Sequence, residues 1–163
     1  MATVLVAYAS KHGATREIAE AIGATLLAAG HAVDVRPARD VRSLGPATAV
    51  ILGSALYAAH WQRDATRFVR RHHAALRERP VWLFSSGPLD DSASRTRLPV
   101  PEPVAAATVG LGARDHRTFG GRLLPDAPGV DPHILATHPT GDFRDWEAIR
   151  AWAAAIAGAL REA

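Results

Sequence analysis

Short runs of apolar residues alternate along the chain with segments in which apolar residues recur every three or four positions. The runs are closed by turn residues and predict buried strands at residues 3–8, 32–36, 49–54, 81–86 and 116–119. The helical spacing is clearest near the two ends of the chain. The first helix carries Ile18, Ile22 and Leu26 and ends near Gly30. The last helix, for which Asp142 is the expected N-cap, carries Trp146, Ile149, Ala153, Ile156 and Leu160.

This alternation predicts an α/β fold. Strands that are apolar on both faces and separated by helices form a parallel sheet covered by helices on both sides. We expect a doubly wound five-stranded parallel sheet with the order 2-1-3-4-5. No repeat or linker interrupts the pattern, so residues 1–163 are expected to form a single domain. Residues 120–141 are rich in proline, glycine and histidine and predict a long loop, which in compact domains is usually functional or mobile.

Composition narrows the function classes. Of 163 residues, 48% are hydrophobic and 21% charged, a globular balance. No apolar run has the roughly 18 residues that a spanning helix needs, and no basic leader opens the chain. We therefore expect a cytoplasmic protein without stable membrane insertion. The absence of cysteine excludes disulfides, thiol chemistry and cysteine-held iron–sulfur clusters, so redox chemistry would need a bound cofactor.

The net charge of +3 and the isoelectric point near 10.1 suggest an acidic partner. However, all basic residues except Lys11 are arginines, a bias that a GC-rich coding sequence also explains. They are spread along the chain rather than clustered between aromatic residues, and no nucleic-acid partner is expected. His133 and His138 lack the spacing and the additional ligands of a metal site, and none is predicted.

The exit of the first strand has the layout of a phosphate-binding loop. Residues 10–15, Ser-Lys-His-Gly-Ala-Thr, lead directly into a helix, whose N-terminal N–H groups and dipole favour an anion. An ordinary helix-capping turn is the simpler alternative. Mononucleotide and dinucleotide glycine motifs are absent at this position. The acidic residues that a phosphoacceptor receiver domain would carry are absent from the exits of the first and third strands.

Several segments together resemble the flavodoxin family. Residues 8–19, Tyr-Ala-Ser-Lys-His-Gly-Ala-Thr-Arg-Glu-Ile-Ala, are similar to the loop that binds the FMN phosphate in flavodoxins. Residues 53–61, 68–72, 119–122 and 142–146 resemble the subgroup that contains menaquinone-dependent protoporphyrinogen dehydrogenase. The likeness extends over nearly the whole chain and implies a flavodoxin-like fold with FMN as the cofactor. The insert after the fifth strand is shorter here than in that enzyme, which weakens the case for membrane or quinone contact.

The resemblance also implies which residues hold FMN. Its phosphate would lie against Ser10, Lys11, His12, Gly13, Ala14 and Thr15. The flavin ring would lie between Ala55, Leu56 and Tyr57 on one side and Ser85, Ser86 and Gly87 on the other. Tyr57 and Trp61 are the only aromatic residues of these loops, so one flavin face is expected to be open, unless both pack against the second helix. His60 is the candidate for proton transfer.

These features predict an FMN-dependent oxidoreductase that acts on a planar substrate, with protoporphyrinogen or a quinone as the family-level candidates. The loop at residues 55–62 lacks glycine, and a positive φ there would cost on the order of 1 kcal/mol, which favours two-electron chemistry. The alternative is a flavodoxin-type electron carrier serving a partner reductase, and a flavin-free module is a third class. A homodimer is also left open. Five arginines are candidates for substrate carboxylates or simply solvated: Arg63, Arg67, Arg95, Arg97 and Arg122.

Overall fold

Five parallel strands form the centre of the computed structural model, which describes residues 1–162. They are β1 (Thr3–Ala9), β2 (Ala32–Pro37), β3 (Ala49–Tyr57), β5 (Val81–Ser86) and β6 (Asp115–Phe119). A two-residue strand, β4 (His60–Trp61), pairs antiparallel with the end of β3. The order β2-β1-β3-β5-β6 is the expected 2-1-3-4-5 when the five parallel strands are counted along the chain. The prediction of a doubly wound α/β sheet is therefore confirmed.

The helices cover both faces of this sheet. They are α1 (Ala14–Ala28), α2 (Arg63–Arg77), α3 (Ser92–Arg95), α4 (Glu102–Leu111), α5 (Pro132–Thr137) and α6 (Trp146–Glu162), with a 3₁₀ turn at Ala38–Asp40. Because successive strand residues point to opposite faces, Val4 and Val6 pack with α1 and α6, whereas Leu5 and Ala7 pack with α2 and α4. The two apolar layers hold the carboxyl ends of the strands at one edge of the molecule. None of the helices in the described residues is long and apolar enough to cross a membrane.

The start of α6 differs from the prediction. Asp145, not Asp142, caps this helix: its Oδ1 accepts from the Ala148 N–H at 3.0 Å, and its carbonyl accepts from the Ile149 N–H at 3.0 Å. Asp142 instead pairs with Arg144, whose Nη2 lies 2.7 Å from Asp142 Oδ2. The prediction of Asp142 as the cap was wrong, because its carboxylate forms an ion pair with Arg144 before the helix begins.

The segment predicted as one long loop also contains regular structure. It includes α5 and two short antiparallel strands, β7 (Arg122–Leu123) and β8 (Gly141–Asp142). The Phe143 N–H donates to Gly121 O at 2.9 Å, and the Gly121 N–H donates to Pro88 O at 2.9 Å. A Cβ at Gly120 would overlap the Phe143 carbonyl oxygen, so only glycine permits this crossing. Short strands and a six-residue helix give too little periodicity to be recognised in the sequence.

Candidate functional site

The phosphate loop connects β1 to α1 through residues 10–13. Gly13 has φ +88°, a conformation that residues with a Cβ rarely adopt, and its N–H donates to Ser10 Oγ at 3.1 Å. Within residues 1–162, the N–H groups of Ala14, Thr15 and Arg16 have no protein acceptor. These free donors lie at the positive end of a 15-residue helix. The loop is therefore built to bind an anion, and the Ser10 oxygen supports the turn by accepting a hydrogen bond.

A cleft of about 550 Å³ opens beside this loop, within the range of about 300–1,000 Å³ typical of small-molecule sites. The exits of β1, β3 and β5, at residues 10–15, 55–57 and 86–87, form what we call the inner wall. Ten of the twelve residues predicted to bind the cofactor line the cleft: Ser10, Lys11, His12, Ala14, Thr15, Ala55, Leu56, Tyr57, Ser86 and Gly87. Gly13 does not itself line it but shapes the loop.

Ser85 lies outside the cleft. Its side chain is fully buried, where the Oγ accepts from Trp61 Nε1 at 2.8 Å and lies 2.8 Å from His116 Nε2. Because strand side chains alternate between faces, only Ser86 of this pair reaches the cleft. Trp61 is likewise 8% exposed and belongs to the core, so it does not offer a face to a ligand. Burial lowers the pKa of His116 to about 4, outweighing the opposite effect of Asp115. Ser85, Trp61 and His116 thus support the inner wall from beneath.

The hairpin between β3 and β4 carries an unusual turn. Ala58 and Ala59 have φ of +50° and +64°, both in the left-handed region, which is typical of a two-residue type I′ turn and normally favours Asn-Gly. The loop therefore adopts positive φ at two alanines, where the sequence predicts a conformational cost because glycine is absent. His60 follows this turn with an exposed side chain and is not among the residues that line the cleft.

The opposite side of the cleft is formed by residues 120–142, which we call the outer wall. Of the residues that this wall places along the cleft, only Arg122 was predicted as a ligand contact. The residues are Gly121, Arg122, Leu123, Gly129, Val130, Asp131, Ile134 and His138. One local signal was present: Asp131 precedes Pro132 and accepts from the His133 N–H at 2.8 Å, an N-cap followed by proline at the first helical position. That signal predicts α5, but it does not predict that α5 lies along the cleft.

Two arginines join the outer wall to α1. Arg122 Nη1 lies 3.1 Å from Glu17 Oε2, and Arg144 Nη1 lies 3.4 Å from the same oxygen. The Arg144 side chain is only 3% exposed and also bonds Asp142 through Nε at 2.8 Å. The hydrogen bonds with Arg144 hold the pKa of Asp142 below its usual range, and the same pairing raises the pKa of Arg144. This network ties the two walls together.

The candidate substrate arginines divide into two groups. Arg95 pairs with Asp91 at 3.0 Å, Arg97 pairs with Asp115, and Arg122 pairs with Glu17. Arg63 and Arg67 make no ion pair among the residues described. Their positions at the start of α2 leave them as the free members of the set.

The mouth of the cleft combines positive charge with one aromatic ring. Tyr57 is 47% exposed, and Lys11 Nζ lies 6.0 Å from its ring centroid. Both residues, with Arg63, also line a shallow depression beside the cleft. Burial raises the pKa of Tyr57, and burial together with Lys11 lowers that of His12. The mouth can therefore accept a planar group that carries negative charge.

Comparison with known proteins agrees with this architecture. The family model of the flavodoxin domain matches residues 5–126, and the chain therefore belongs to the flavodoxin-domain family. This membership implies FMN binding. A comparison with curated protein sequences finds no match.

Solved structures show the same fold. Oxidised Flavodoxin 2 from Bacillus cereus is 24% identical with a TM-score of 0.64, over 98% of this chain and 99% of that one. A flavodoxin from the domain Archaea is 17% identical with a TM-score of 0.63, over 98% and 99%. Rubredoxin oxygen:oxidoreductase from Desulfovibrio gigas is 16% identical with a TM-score of 0.66 over 98% of this chain, which spans 36% of that protein.

Proposed function

We propose that the chain binds FMN in the cleft and acts as an oxidoreductase on a planar substrate. The observation that carries this proposal is the presence, in one cleft, of an anion-binding loop after β1 and of largely apolar side chains at the exit of β3 and on the outer wall. FMN has the same polarity, because a phosphate terminates one end of the molecule and a flat, largely apolar ring system the other.

The residues of the inner wall fit this cofactor. The free N–H groups of Ala14, Thr15 and Arg16 and the φ of Gly13 suit the phosphate. A Cβ at Gly87 would lie 2.9 Å from Leu56 Cβ, so the exits of β3 and β5 approach each other closely where the ring is expected. When bound, FMN supplies the exchange of electrons or hydride, while the protein supplies position and electrostatics. Ser85 holds Ser86 and Gly87 in place rather than touching the ring.

An enzyme is favoured over a carrier because the mouth leaves room for a second planar group. Among the cleft-lining residues within 1–162, Tyr57 is the only phenylalanine, tyrosine or tryptophan. The outer wall contributes aliphatic side chains such as Val130 and Ile134 instead. An aromatic substrate can stack in the space that a second aromatic wall would fill.

Charge at the mouth narrows the substrate class. Lys11 and Arg63 lie beside Tyr57 in a depression that also contains one carboxylate, Asp64, so the basic side chains outnumber the acidic one. An arginine binds a carboxylate through two parallel hydrogen bonds. A tetrapyrrole with acidic groups, such as a protoporphyrinogen, meets both features, because its pyrrole rings can pack on the tyrosine and its propionates can pair with the two cations. The resemblance to menaquinone-dependent protoporphyrinogen dehydrogenase supports the same class, with a quinone as the second candidate. His60 stays a prediction as the proton carrier, although His12 and His138 are nearer to the cleft.

A one-electron carrier is the second candidate function. The match to two flavodoxins extends over 98% of this chain and 99% of each of theirs, so nothing large is added to the carrier architecture. Such a protein would exchange electrons with a partner reductase rather than with a small substrate.

The test is to load the purified protein with FMN and remove oxygen. Protoporphyrinogen is then added to the oxidised flavoprotein, and menadione is added to a sample that dithionite has first reduced. In an enzyme, protoporphyrinogen lowers the flavin absorbance and menadione restores it, each with a saturable dependence on substrate concentration. The absorbance of a carrier changes only when a reductase is present. Replacing Tyr57 by Leu is expected to raise the KM for the planar substrate about three- to tenfold through the lost aromatic contact. Val109, exposed on α4 and outside the cleft, provides the control variant Val109→Ala. Protein that stays colourless after incubation with FMN would overturn the proposal.

A further inference from the structure

Arg122 is a residue of the outer wall that contacts the phosphate loop. Its Nη2 donates to His12 O at 3.4 Å and lies 3.8 Å from the position that a Cβ on Gly13 would occupy. The side chain is 20% exposed and lines the cleft. A guanidinium that originates 110 residues along the chain therefore contacts the turn that shapes the anion-binding loop.

The ion pairs around Arg122 leave it available to a ligand. Glu17, in the first turn of α1, is shared between Arg122 and Arg144. Arg144 is buried and fixed by Asp142, so it compensates the Glu17 charge from a permanent position. A guanidinium has five N–H groups, and the described contacts of Arg122 use only two of its nitrogens. Arg122 can thus keep its contact with Glu17 and still donate into the cleft.

The charge that a bound phosphate would add also favours a further cation at the loop. Glu17 places a carboxylate one turn from the free amides, and a phosphate dianion bound there would be repelled by it. Lys11 contributes one positive charge from the mouth side, over the Tyr57 ring. Arg122 contributes the other from the opposite side, between Glu17 and the loop. Arginine binds phosphate through paired, charge-assisted hydrogen bonds, which a lysine cannot provide.

We propose that Arg122 is a phosphate-binding residue of the cleft and makes the site selective for the phosphorylated flavin over riboflavin. Glu17 holds the guanidinium beside the loop and competes with the phosphate for it. The inference rests on the proposed binding of FMN, but it concerns how the terminal phosphate is recognised. The purely structural alternative is that Arg122 only fastens β7 to α1.

The two roles differ in their effect on two ligands. Dissociation constants for FMN and riboflavin are measured by flavin fluorescence with the wild-type protein, Arg122→Gln and Arg122→Lys. The Gln variant is expected to weaken FMN binding roughly ten- to a hundredfold and to leave riboflavin unchanged. The Lys variant keeps the positive charge without the paired donors. Its dissociation constant for FMN is expected to lie between those of the wild type and the Gln variant. Inorganic phosphate should compete with FMN less effectively in the Gln variant than in the wild type.

Two further variants complete the design. Glu17→Gln removes the competing carboxylate and is expected to tighten FMN binding severalfold, with no effect on riboflavin. Arg36→Gln breaks a more exposed ion pair, with Asp34 on β2 and away from the cleft, and is expected to change neither constant. Equal weakening of FMN and riboflavin in Arg122→Gln, or no weakening of either, would show that Arg122 only supports the wall. A wild-type protein that binds neither flavin would overturn the proposed function itself.

Discussion

The two walls of the cleft are built in different ways. The inner wall consists of loops that emerge directly from buried parallel strands, and its amides and side chains are positioned by the sheet beneath them. The outer wall consists of two short strands, a six-residue helix and connecting turns. It is held by a close backbone crossing at Gly120 and by charged pairs that include Arg122 and Arg144.

This difference separates two kinds of dependence on sequence. The position of a loop at the end of a buried strand is set by apolar contacts throughout the core, so a single surface substitution moves the loop little. A wall held by one crossing and a few charges has no such redundancy. We therefore expect the inner wall to keep its position under single substitutions and the outer wall to be the part that such substitutions displace.

The largest effect is expected from Gly120→Ala. The added Cβ would overlap the Phe143 carbonyl oxygen, and because the obstacle is backbone, the segments that precede β7 and follow β8 must move apart. We expect a loss of about 3 kcal/mol in the free energy of unfolding, measured by urea denaturation, and faster proteolysis within residues 120–142.

The control is Gly158→Ala on α6, where a Cβ meets nothing within 4 Å. Alanine has the higher helix propensity, so this variant should gain up to about 1 kcal/mol. Wild-type stability in Gly120→Ala would show that the crossing is not what holds the outer wall.

Acid should affect the support of the inner wall before it affects the outer wall. His116 has a folded-state pKa of about 4, below the ordinary value near 6.5, so the unfolded chain binds the additional proton between these values. The contribution of His116 to the free energy of unfolding is then fully present above about pH 6.5. It falls by up to about 1.4 kcal/mol per pH unit as the pH drops towards 4. The pair of Asp142 with Arg144 stays charged in this window, because the carboxyl pKa is lowered.

Thermal unfolding of the wild type and of His116→Gln, measured across this pH range, isolates the contribution of His116. The variant should show a shallower decline between pH 6.5 and 4, and His133→Gln, at an exposed position on α5, should follow the wild type. Parallel curves for the wild type and His116→Gln would contradict the assignment.

A smaller effect is expected at the phosphate loop from Gly13→Ala. The left-handed conformation costs a residue with a Cβ about 1–2 kcal/mol, and the new methyl group meets only Arg122 Nη2 at 3.8 Å. If the loop relaxes to avoid the strain, its amides turn away from the ligand. FMN affinity should fall about tenfold in a fluorescence titration.

Gly30→Ala gives a matched comparison at the other end of α1. Gly30 has φ +95° and nothing within 4 Å, so the substitution introduces similar strain far from the cleft. It should lower stability without changing FMN affinity. A tenfold loss of affinity in both variants would attribute the effect to the helix rather than to the loop.

The smallest effect is expected at the β3–β4 turn. Replacing Ala58 by Asn and Ala59 by Gly provides the residues that a type I′ turn favours, and we expect a gain of about 1 kcal/mol or less, seen as a higher melting temperature. Ala29→Gly, at a position with φ −83°, should give no gain. A destabilised double variant would show that the alanines are needed for contacts at the rim.

The sequence was informative where short-range patterns decide the structure. Apolar runs placed the five parallel strands within a few residues of their observed bounds, and the residues between Ser10 and Thr15 identified the anion-binding loop. The buried position of the Ser85 side chain was not predicted, because side chains alternate between the two faces of a strand and the adjacent Ser85 and Ser86 look alike in the sequence. The outer wall was not predictable, since its position depends on contacts of Arg122 and Gly120 with residues distant in the chain.

Lys11, described above at the mouth of the cleft, is the only lysine in the chain. Apart from the amino terminus, it offers the only primary amine to a mild acylating reagent. A fluorophore or crosslinker with an activated ester would therefore attach at the rim of the cleft without any engineered handle. Protection of that amine by an added compound would report directly on what occupies the cleft.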